Sequence, residues 1–224
     1  MKTKRLFSTI SLIINLLIVY LTFDAVIYYF RDDIIREMTE EVISSWTAMR
    51  YFTTLSNIFV AIAAAVLVAI HIRNAARDVY DVPKWAITLK YIATVSVTVT
   101  FLTVVFFLAP ITALGGKSYF LLFEGNQFIL HFLSPVMAIV SFIFFDGWEK
   151  LPFKSTFLTV IPTIIYSFVY IPMVVIVKAW PDFYFFTFGG HYYITPVVAI
   201  VMYGVTYGIG VIEWHLRRKF NITT

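Results

Sequence analysis

The sequence predicts an all-α, polytopic membrane protein, a bundle of six transmembrane helices. Of its 224 residues, 60% are hydrophobic and 13% are charged, whereas a soluble domain carries about 25% charged residues. The hydrophobic residues form long runs almost free of charge, such as residues 6–29, 52–72 and 92–109. Each run approaches the roughly 20 residues that cross a hydrocarbon core. These observations argue against a soluble fold and predict one transmembrane domain over residues 1–224.

Six spans follow from these runs. The first comes after a basic start, but it is too long for the apolar region of a signal peptide, and no small-residue cleavage site closes it. The third contains the alternating stretch 95–100, which resembles a strand. Its length predicts a helix, because an isolated strand cannot satisfy its backbone in lipid. The predicted spans are about 6–29, 51–72, 86–109, 127–146, 156–178 and 193–215.

The lysines and arginines predict the orientation of these helices. With the N-terminus in the cytoplasm, 12 of these residues fall in cytoplasmic segments and 5 in external ones. Cytoplasmic segments of membrane proteins carry such an excess, so both termini are expected in the cytoplasm. The net charge of +4 has the same origin, and nucleic acid is not an expected partner.

Two further patterns predict local structure. Between the first and second spans, Ile34, Ile35, Met38 and Val42 share one face, which predicts an external interfacial helix over residues 32–45. In the sixth span, Gly204 and Gly208 form a small-xxx-small pair, which predicts a helix-packing contact.

Polar residues near the external end of the second span are the first candidates for function. Polar groups inside a membrane are costly and are therefore informative. This span opens with Thr53, Thr54, Ser56 and Asn57. At about 100° per residue, Thr53 lies in the middle of the polar arc and Thr54 lies on its edge.

The fourth span carries a second polar stripe. Gln127, His131, Ser134 and Ser141 fall within an arc of about 80° on an otherwise apolar helix. Pro135 cannot donate to the carbonyl of His131, which leaves that acceptor free. Because His131 lies at about the same depth as Thr53, we expect the two side chains to face each other.

A hydroxyl beside an imidazole has an obvious chemical use. Neutral histidine can take the proton of a threonine as it attacks an ester, then return it to the leaving group. The alternative is structural, because a threonine in a membrane helix commonly bonds the carbonyl four residues earlier or a neighbouring helix. A histidine in a span can likewise belong to a structural polar network.

Other polar residues are weaker candidates. Asp24, at the external end of the first span, either orients an imidazole or marks the interface, and His191, in the loop before the sixth span, could approach the same site. His71 and His215 lie at cytoplasmic ends, where an interfacial position is expected. The chain has no cysteine and its histidines are scattered, so neither a metal nor another cofactor is expected.

Three segments, residues 50–59, 130–135 and 144–148, resemble the prokaryotic branch of a membrane family that includes the androgen-induced and androgen-dependent proteins of animals. The specific motifs are Tyr-Phe-Thr-x-x-Ser-Asn and His-x-x-x-Pro, and hydropathy follows the family along nearly the whole chain. Its animal members are intramembrane threonine hydrolases of fatty-acid esters of hydroxy fatty acids. The resemblance implies a nucleophile at Thr53 and its histidine at His131, with Thr54 as the competing register.

The expected function is therefore hydrolysis of a lipid ester in a prokaryotic plasma membrane. Asp24, Ser56, Asn57, Gln127, Ser134 and His191 are expected around the catalytic pair. The alternative is a non-enzymatic membrane protein, either a small transporter or a lipid-binding module. We also expect an apolar pocket lined by Phe, Ile, Leu and Tyr, with residues 180–190 as a lid or aromatic belt.

Overall fold

The computed structural model describes residues 2–31, 34–36, 41–43 and 45–220. Six of its helices are long and apolar enough to cross a membrane, which confirms the prediction of an all-α integral membrane protein with six spans. The third span continues to Leu114 and the sixth to Phe220, beyond the predicted ends. The spans are Thr3–Phe30, Phe52–Ala75, Lys84–Leu114, Asn126–Phe144, Phe153–Ile176 and Tyr192–Phe220.

The third span is the centre of the bundle. Of its apolar window, 61% is buried, against 28% for the first, fifth and sixth spans. The stretch 94–100 is buried at every position, so the alternation of valine with serine and threonine marks a helix enclosed on all sides. Thr94, Ser96 and Thr98 each donate to the carbonyl four residues earlier, as when Thr94 donates to the carbonyl of Lys90 at 2.8 Å.

Proline interrupts three of the described spans, and a π-helical turn adjoins each interruption. The turn Val104–Leu108 precedes Pro110, and the turn Ile129–Leu133 precedes Pro135. In the fifth span the π-turn Pro172–Ile176 begins at the proline. Proline has no N–H and its ring crowds the carbonyl four residues earlier, so the helix widens locally to accommodate it. One of these widened turns carries His131.

The beginning of the first span and the end of the sixth lie at one end of the bundle, which we call the terminal end. The Phe7 ring of the first span packs near Phe145 and Trp148, while Phe220 of the sixth span packs near Phe144. The opposite, hairpin end holds a short antiparallel pair of strands, Ile34–Arg36 and Glu41–Ile43, in the register Ile35↔Val42. By the lysine and arginine prediction, the terminal end faces the cytoplasm.

A strand pair, and not the interfacial helix predicted over residues 32–45, forms where the structure describes this stretch. The strands are followed by a short helix at Ser45–Ala48. Residues 32, 33, 37–40 and 44, and with them Met38 of the predicted apolar face, lie outside the described residues. The other members of that face, Ile34, Ile35 and Val42, are β-branched, and such residues favour strands over helices.

The predicted glycine contact is also wrong, because Gly204 and Gly208 face open space. A Cβ atom at either position would meet no atom within 4 Å. The close approach occurs instead at Gly210, on another face of the sixth span, where a Cβ would lie 2.5 Å from Thr159 Oγ1. The carbonyl of Gly210 accepts a hydrogen bond from the Tyr91 hydroxyl, which ties the sixth span to the third.

Candidate functional site

Thr53 lies in the first turn of the second span, at the hairpin end. The chain enters this helix in an extended conformation at Tyr51. The N–H of Phe52 has no partner within the helix, as is usual for a first turn. It donates instead to the hydroxyl of Tyr184 at 2.9 Å. A residue of the loop before the sixth span thus positions the backbone directly before Thr53.

An apolar cavity of about 490 Å³ opens beside Thr53, and Thr53 forms part of its wall. It lies between the second, third, fifth and sixth spans, beneath the loop at 184–188. This volume falls within the roughly 300–1,000 Å³ of small-molecule sites. The wall is largely apolar and aromatic, as predicted, with valine more frequent than isoleucine and leucine. It includes Phe52, Phe107, Phe185, Phe186, Phe188, Val99, Val104, Val197, Val198 and Val201. Four threonines also line it, Thr53, Thr100, Thr103 and Thr163.

The Thr53 hydroxyl differs from those of most intramembrane threonines and shares its situation with Thr103, which also lines the cavity and whose hydroxyl makes no described hydrogen bond. Thr98, Thr112 and Thr206 each donate to the carbonyl four residues earlier. Among the described hydrogen bonds, none involves the hydroxyl of Thr53, whose residue is only partly buried. The structural alternative for a lone threonine, a bond to its own helix, therefore does not apply at Thr53 in the described residues.

The side chains of Ser56 and Asn57 form hydrogen bonds with the backbone of this turn. Ser56 Oγ donates to the Thr53 carbonyl at 3.1 Å and pairs with Thr100 Oγ1 of the third span at 2.9 Å. Asn57 Nδ2 donates to the Thr53 carbonyl at 2.8 Å and to the Leu130 carbonyl at 2.9 Å. Asn57 Oδ1 is buried without a hydrogen-bond partner. Both residues hold backbone, and neither lines the cavity.

The π-turn of the fourth span explains why Asn57 can reach this helix. The N–H of Ser134 bonds the carbonyl of Ile129, five residues back. An α-helical turn would have used the carbonyl of Leu130 instead. That carbonyl is consequently available to Asn57. The π-turn thus makes the Leu130 carbonyl available as an acceptor, one residue before the His131 carbonyl, to which Pro135 cannot donate.

His131 is buried, with 8% of its surface exposed. Its Nδ1 lies 2.6 Å from the carbonyl of Leu122, and its ring meets that of Phe123 edge-on. A carbonyl can only accept, so Nδ1 carries the proton in this contact. In the neutral ring, Nε2 is then the basic nitrogen.

Asn57 links the turn of Thr53 to the turn of His131. Asn57 bonds the backbone of Thr53 on one side and that of Leu130 on the other. In the part of the chain that the structure describes, no hydrogen bond joins the Thr53 hydroxyl to His131, and His131 is not among the residues of the cavity wall. The predicted contact, direct or through one water, stays a prediction.

The remaining predicted residues occupy three kinds of position. Thr54 is buried, with 2% of its surface exposed, and lies off the cavity wall. Gln127 donates to the Tyr29 hydroxyl at 2.8 Å, and Ser134 pairs with Thr22 at 3.2 Å, so both tie the fourth span to the first. Asp24 and His191 are exposed and do not line the cavity.

Sequence reasoning missed Tyr184. Its hydroxyl holds the Phe52 amide, its side chain lines the cavity, and its ring packs near Tyr166 and Tyr170. Nothing in the aromatic run 183–188 distinguishes it from its neighbours, since every residue there but Thr187 is aromatic. Its role depends on the conformation of the loop, which directs this ring toward the second span.

A second polar site lies at the terminal end and is centred on Asp146. Its Oδ1 accepts hydrogen bonds from Ser11, Asn15 and Ser141, at 2.7, 2.8 and 2.6 Å. Lys90 Nζ donates to Asn15 Oδ1 at 2.7 Å and lies 3.9 Å from Asp146 Oδ2, with both charged side chains fully buried. We call these five residues, with Ser8 and His71, the terminal-end network.

His71 belongs to this network and is not interfacial as predicted. Only 2% of its surface is exposed. Its Nδ1 lies 2.9 Å from Ser8 Oγ and its Nε2 lies 2.9 Å from Ser11 Oγ. The available sequence signal was the spacing of Ser8, Ser11 and Asn15, which places three polar groups along one face of the first span. Ser8 and Ser11 on that face form hydrogen bonds with the His71 ring.

No family model, curated protein or solved structure matches this chain. The resemblance to the androgen-induced and androgen-dependent family therefore rests on the motifs around Thr53 and His131 alone. Among the described residues, no group of three or more His, Cys, Asp or Glu side chains is arranged to hold a metal ion.

Proposed function

We propose that this protein is an intramembrane hydrolase of fatty-acid esters, with Thr53 as nucleophile and His131 as general base. One observation carries the proposal: the Thr53 hydroxyl stands on the wall of an apolar cavity of about 490 Å³. A fatty acyl chain in this cavity would be surrounded by valine and phenylalanine side chains. Of the threonines on this wall, which also include Thr100, Thr103 and Thr163, Thr53 is the one whose turn Asn57 ties to the turn of His131, so the ester carbonyl would lie beside Thr53.

The reaction would proceed through an acyl-threonine. Thr53 Oγ attacks the ester carbonyl carbon while His131 Nε2 accepts the hydroxyl proton. The tetrahedral intermediate then expels the alcohol, which takes that proton from His131. Water attacks the acyl-threonine with His131 again as base, which releases the fatty acid and restores the Thr53 hydroxyl.

Two contacts support the role of His131. The bond from Nδ1 to the Leu122 carbonyl fixes the ring and leaves Nε2 as the basic nitrogen. Asn57 holds the turn of Thr53 against the turn of His131. Catalysis requires a side-chain movement or one bridging water that brings Nε2 to the Thr53 hydroxyl, since His131 does not line the cavity.

The same absence of His131 from the cavity wall favours a second candidate, a lipid-binding module without catalysis. In this case the cavity would hold an acyl chain and Thr53 would only bond its headgroup. A fluorophosphonate probe separates the two candidates, because it labels an activated hydroxyl and not a mere binding site. The hydrolase predicts labelling of the wild type and of Thr54→Ala, and none of Thr53→Ala or His131→Ala.

Occupancy of the cavity can be tested separately from catalysis. Val201 lines the cavity and Val205, one turn further along the sixth span, does not. Both are about half exposed, at 56% and 46%. Val201→Trp should reduce binding of a long-chain fatty-acid spin label, while Val205→Trp should leave it unchanged. Equal binding by the two variants would argue against an acyl chain in this cavity under either candidate function.

A further inference from the structure

A second pocket, of about 470 Å³, lies at the terminal end of the bundle. It is formed by the start of the third span, the connection at 149–153 and the end of the sixth span. It lies at the opposite end of the sixth span from the cavity beside Thr53 and shares no lining residue with it. The proposed hydrolase reaction gives this pocket no role.

The wall of this pocket is strongly cationic. Lys84, Lys150, Arg217 and Arg218 line it, and Glu149 is the one carboxylate among its lining residues. Glu149 lies 3.9 Å from Lys84 Nζ. Among the described residues, no salt bridge is made by Lys150, Arg217 or Arg218, so the positive charge of these three side chains is not neutralised by a carboxylate in contact.

Arg217 is the buried element of this wall, with 3% of its surface exposed. Its guanidinium donates to the carbonyls of Phe142 and Gly147 and lies over the Phe142 ring, so its orientation is fixed. Its Nε is buried and has no hydrogen-bond partner among the described residues. The two carbonyls do not neutralise the charge of the guanidinium, which an anion bound at the pocket wall would compensate.

The rest of the wall is apolar. Leu151, Pro152, Phe153 and Trp214 contribute to it, and the Trp214 indole is fixed by a bond from Nε1 to the Leu151 carbonyl at 2.8 Å. Phe153 is 45% exposed at the beginning of the fifth span. The pocket thus combines a cationic wall with an apolar surface that continues along the outside of the bundle.

We propose that this pocket binds a phosphate group, in the form of the phosphodiester of an anionic phospholipid in the leaflet at the terminal end. Arginine and lysine provide charge-assisted donors for phosphate oxygens, and basic pockets between helices on the cytoplasmic side accept such headgroups. The same donors would accept a soluble phosphate-bearing molecule. The apolar wall at Phe153 and Trp214 favours the lipid, because a soluble anion would leave that surface without a partner.

The test is a binding titration of the full chain in neutral detergent with phospholipids that carry brominated acyl chains. Quenching of the Trp214 fluorescence, taken as the difference between wild type and Trp214→Phe, reports occupancy of this pocket. We expect phosphatidylglycerol to bind at least about tenfold more tightly than phosphatidylcholine. Lys150→Gln/Arg218→Gln should remove that preference, because each cation near the surface contributes about fivefold in affinity.

A matched control removes equal charge at the same end of the bundle. Arg73→Gln/Arg77→Gln changes two exposed residues that do not line the pocket, and it should leave the preference within about twofold of wild type. Equal affinity for the two lipids in the wild type would overturn the proposal. A loss in the control as large as in the pocket variant would also overturn it, since it would indicate only general surface charge.

Inorganic phosphate distinguishes the two sources of the phosphate group. If the lipid is the ligand, millimolar phosphate should leave the Trp214 quenching unchanged. Displacement of the lipid by phosphate, lost in Lys150→Gln/Arg218→Gln, would support the phosphate site and identify its ligand as a soluble anion. The outcome is independent of ester hydrolysis, which Thr53→Ala removes without touching this pocket.

Discussion

The terminal-end network and the turn of Thr53 differ in how their polar groups are bonded. At the hairpin end, the Thr53 hydroxyl lines an apolar cavity, and no described hydrogen bond uses it. At the terminal end, Asp146 and Lys90 are fully buried, and side chains from four spans surround them. Both regions lie inside one membrane bundle, so the solvent does not account for the difference.

This difference indicates a separate role for each region. Polar groups that satisfy one another fix helices in place and leave no room for a ligand. A hydroxyl without a partner beside an empty apolar volume does little for packing, but it is available to a ligand. On this basis the terminal-end network stabilises the bundle and the hairpin-end cavity carries function, and the two regions should respond differently to substitution.

The largest expected effect is on catalysis at Thr53. Thr53→Ala should lower ester hydrolysis by at least about 10⁴-fold, because removal of a nucleophile removes the acyl-enzyme route. The bundle should still fold, since no described hydrogen bond uses this hydroxyl. Thr53→Ser should retain part of the activity, as it keeps the hydroxyl. The measurement is ester turnover per unit of folded, detergent-purified protein.

Thr54→Ala is the control for this prediction, because it removes an adjacent hydroxyl that lies off the cavity wall. It should keep most of the activity. A loss in Thr54→Ala with none in Thr53→Ala would assign the nucleophile to the other register.

His131→Ala should lower hydrolysis about as far as Thr53→Ala. A nucleophile and its base act as a unit, so the double variant should add little to either single loss. A double variant whose loss equals the product of the two single losses would argue that His131 acts independently of Thr53. Ser134→Ala, on the same helix and also buried, serves as the comparison for general disturbance of this span.

At the terminal end the expected effect is on stability. Asp146→Ala should lower the free energy of unfolding by about 3–5 kcal/mol, because it leaves the Lys90 ammonium buried without its counter-charge. Lys90→Met/Asp146→Leu should be less destabilising than Asp146→Ala, since neither charge remains. Unfolding in mixed micelles measures both, and a double variant as unstable as the single one would argue against coupling of the pair.

A smaller loss of stability is expected at Gly210. The added methyl group of Gly210→Ala would lie 2.5 Å from Thr159 Oγ1, and such overpacking costs about 1–3 kcal/mol. Gly208→Ala is the matched control, because its methyl group would meet no atom within 4 Å. Thermal unfolding of the two variants measures the difference, and an equal melting temperature would contradict the close approach at Gly210.

The smallest expected effect concerns a single polar contact between spans. Ser134→Ala removes the hydroxyl that pairs with Thr22 at 3.2 Å. Polar contacts between membrane helices are worth about 0.6 kcal/mol on average. The free energy of unfolding should therefore fall by about that amount, with hydrolysis per folded molecule unchanged. A change in specific activity would place Ser134 in the catalytic site.

The sequence alone predicted the class of protein and the six spans because the membrane imposes a simple rule. Only helices satisfy every backbone group in lipid, and each must be about 20 apolar residues long. The same periodicity placed Thr53 at the centre of its polar arc, which agrees with its position on the cavity wall. Length, hydropathy and periodicity are properties of a single helix, so the sequence of that helix is enough to predict them.

The tertiary structure decided which polar groups meet. Hydropathy placed His71 at an interface, but Ser8 and Ser11 from another span enclose it. Pro135 indicated the carbonyl of His131 as an available acceptor, but only the π-turn makes the carbonyl of Leu130 available to Asn57. Nothing in the local sequence indicates the role of Tyr184 or the cationic wall around Arg217. Contacts between helices depend on how the helices are rotated and packed, and no pattern within one helix specifies its neighbours.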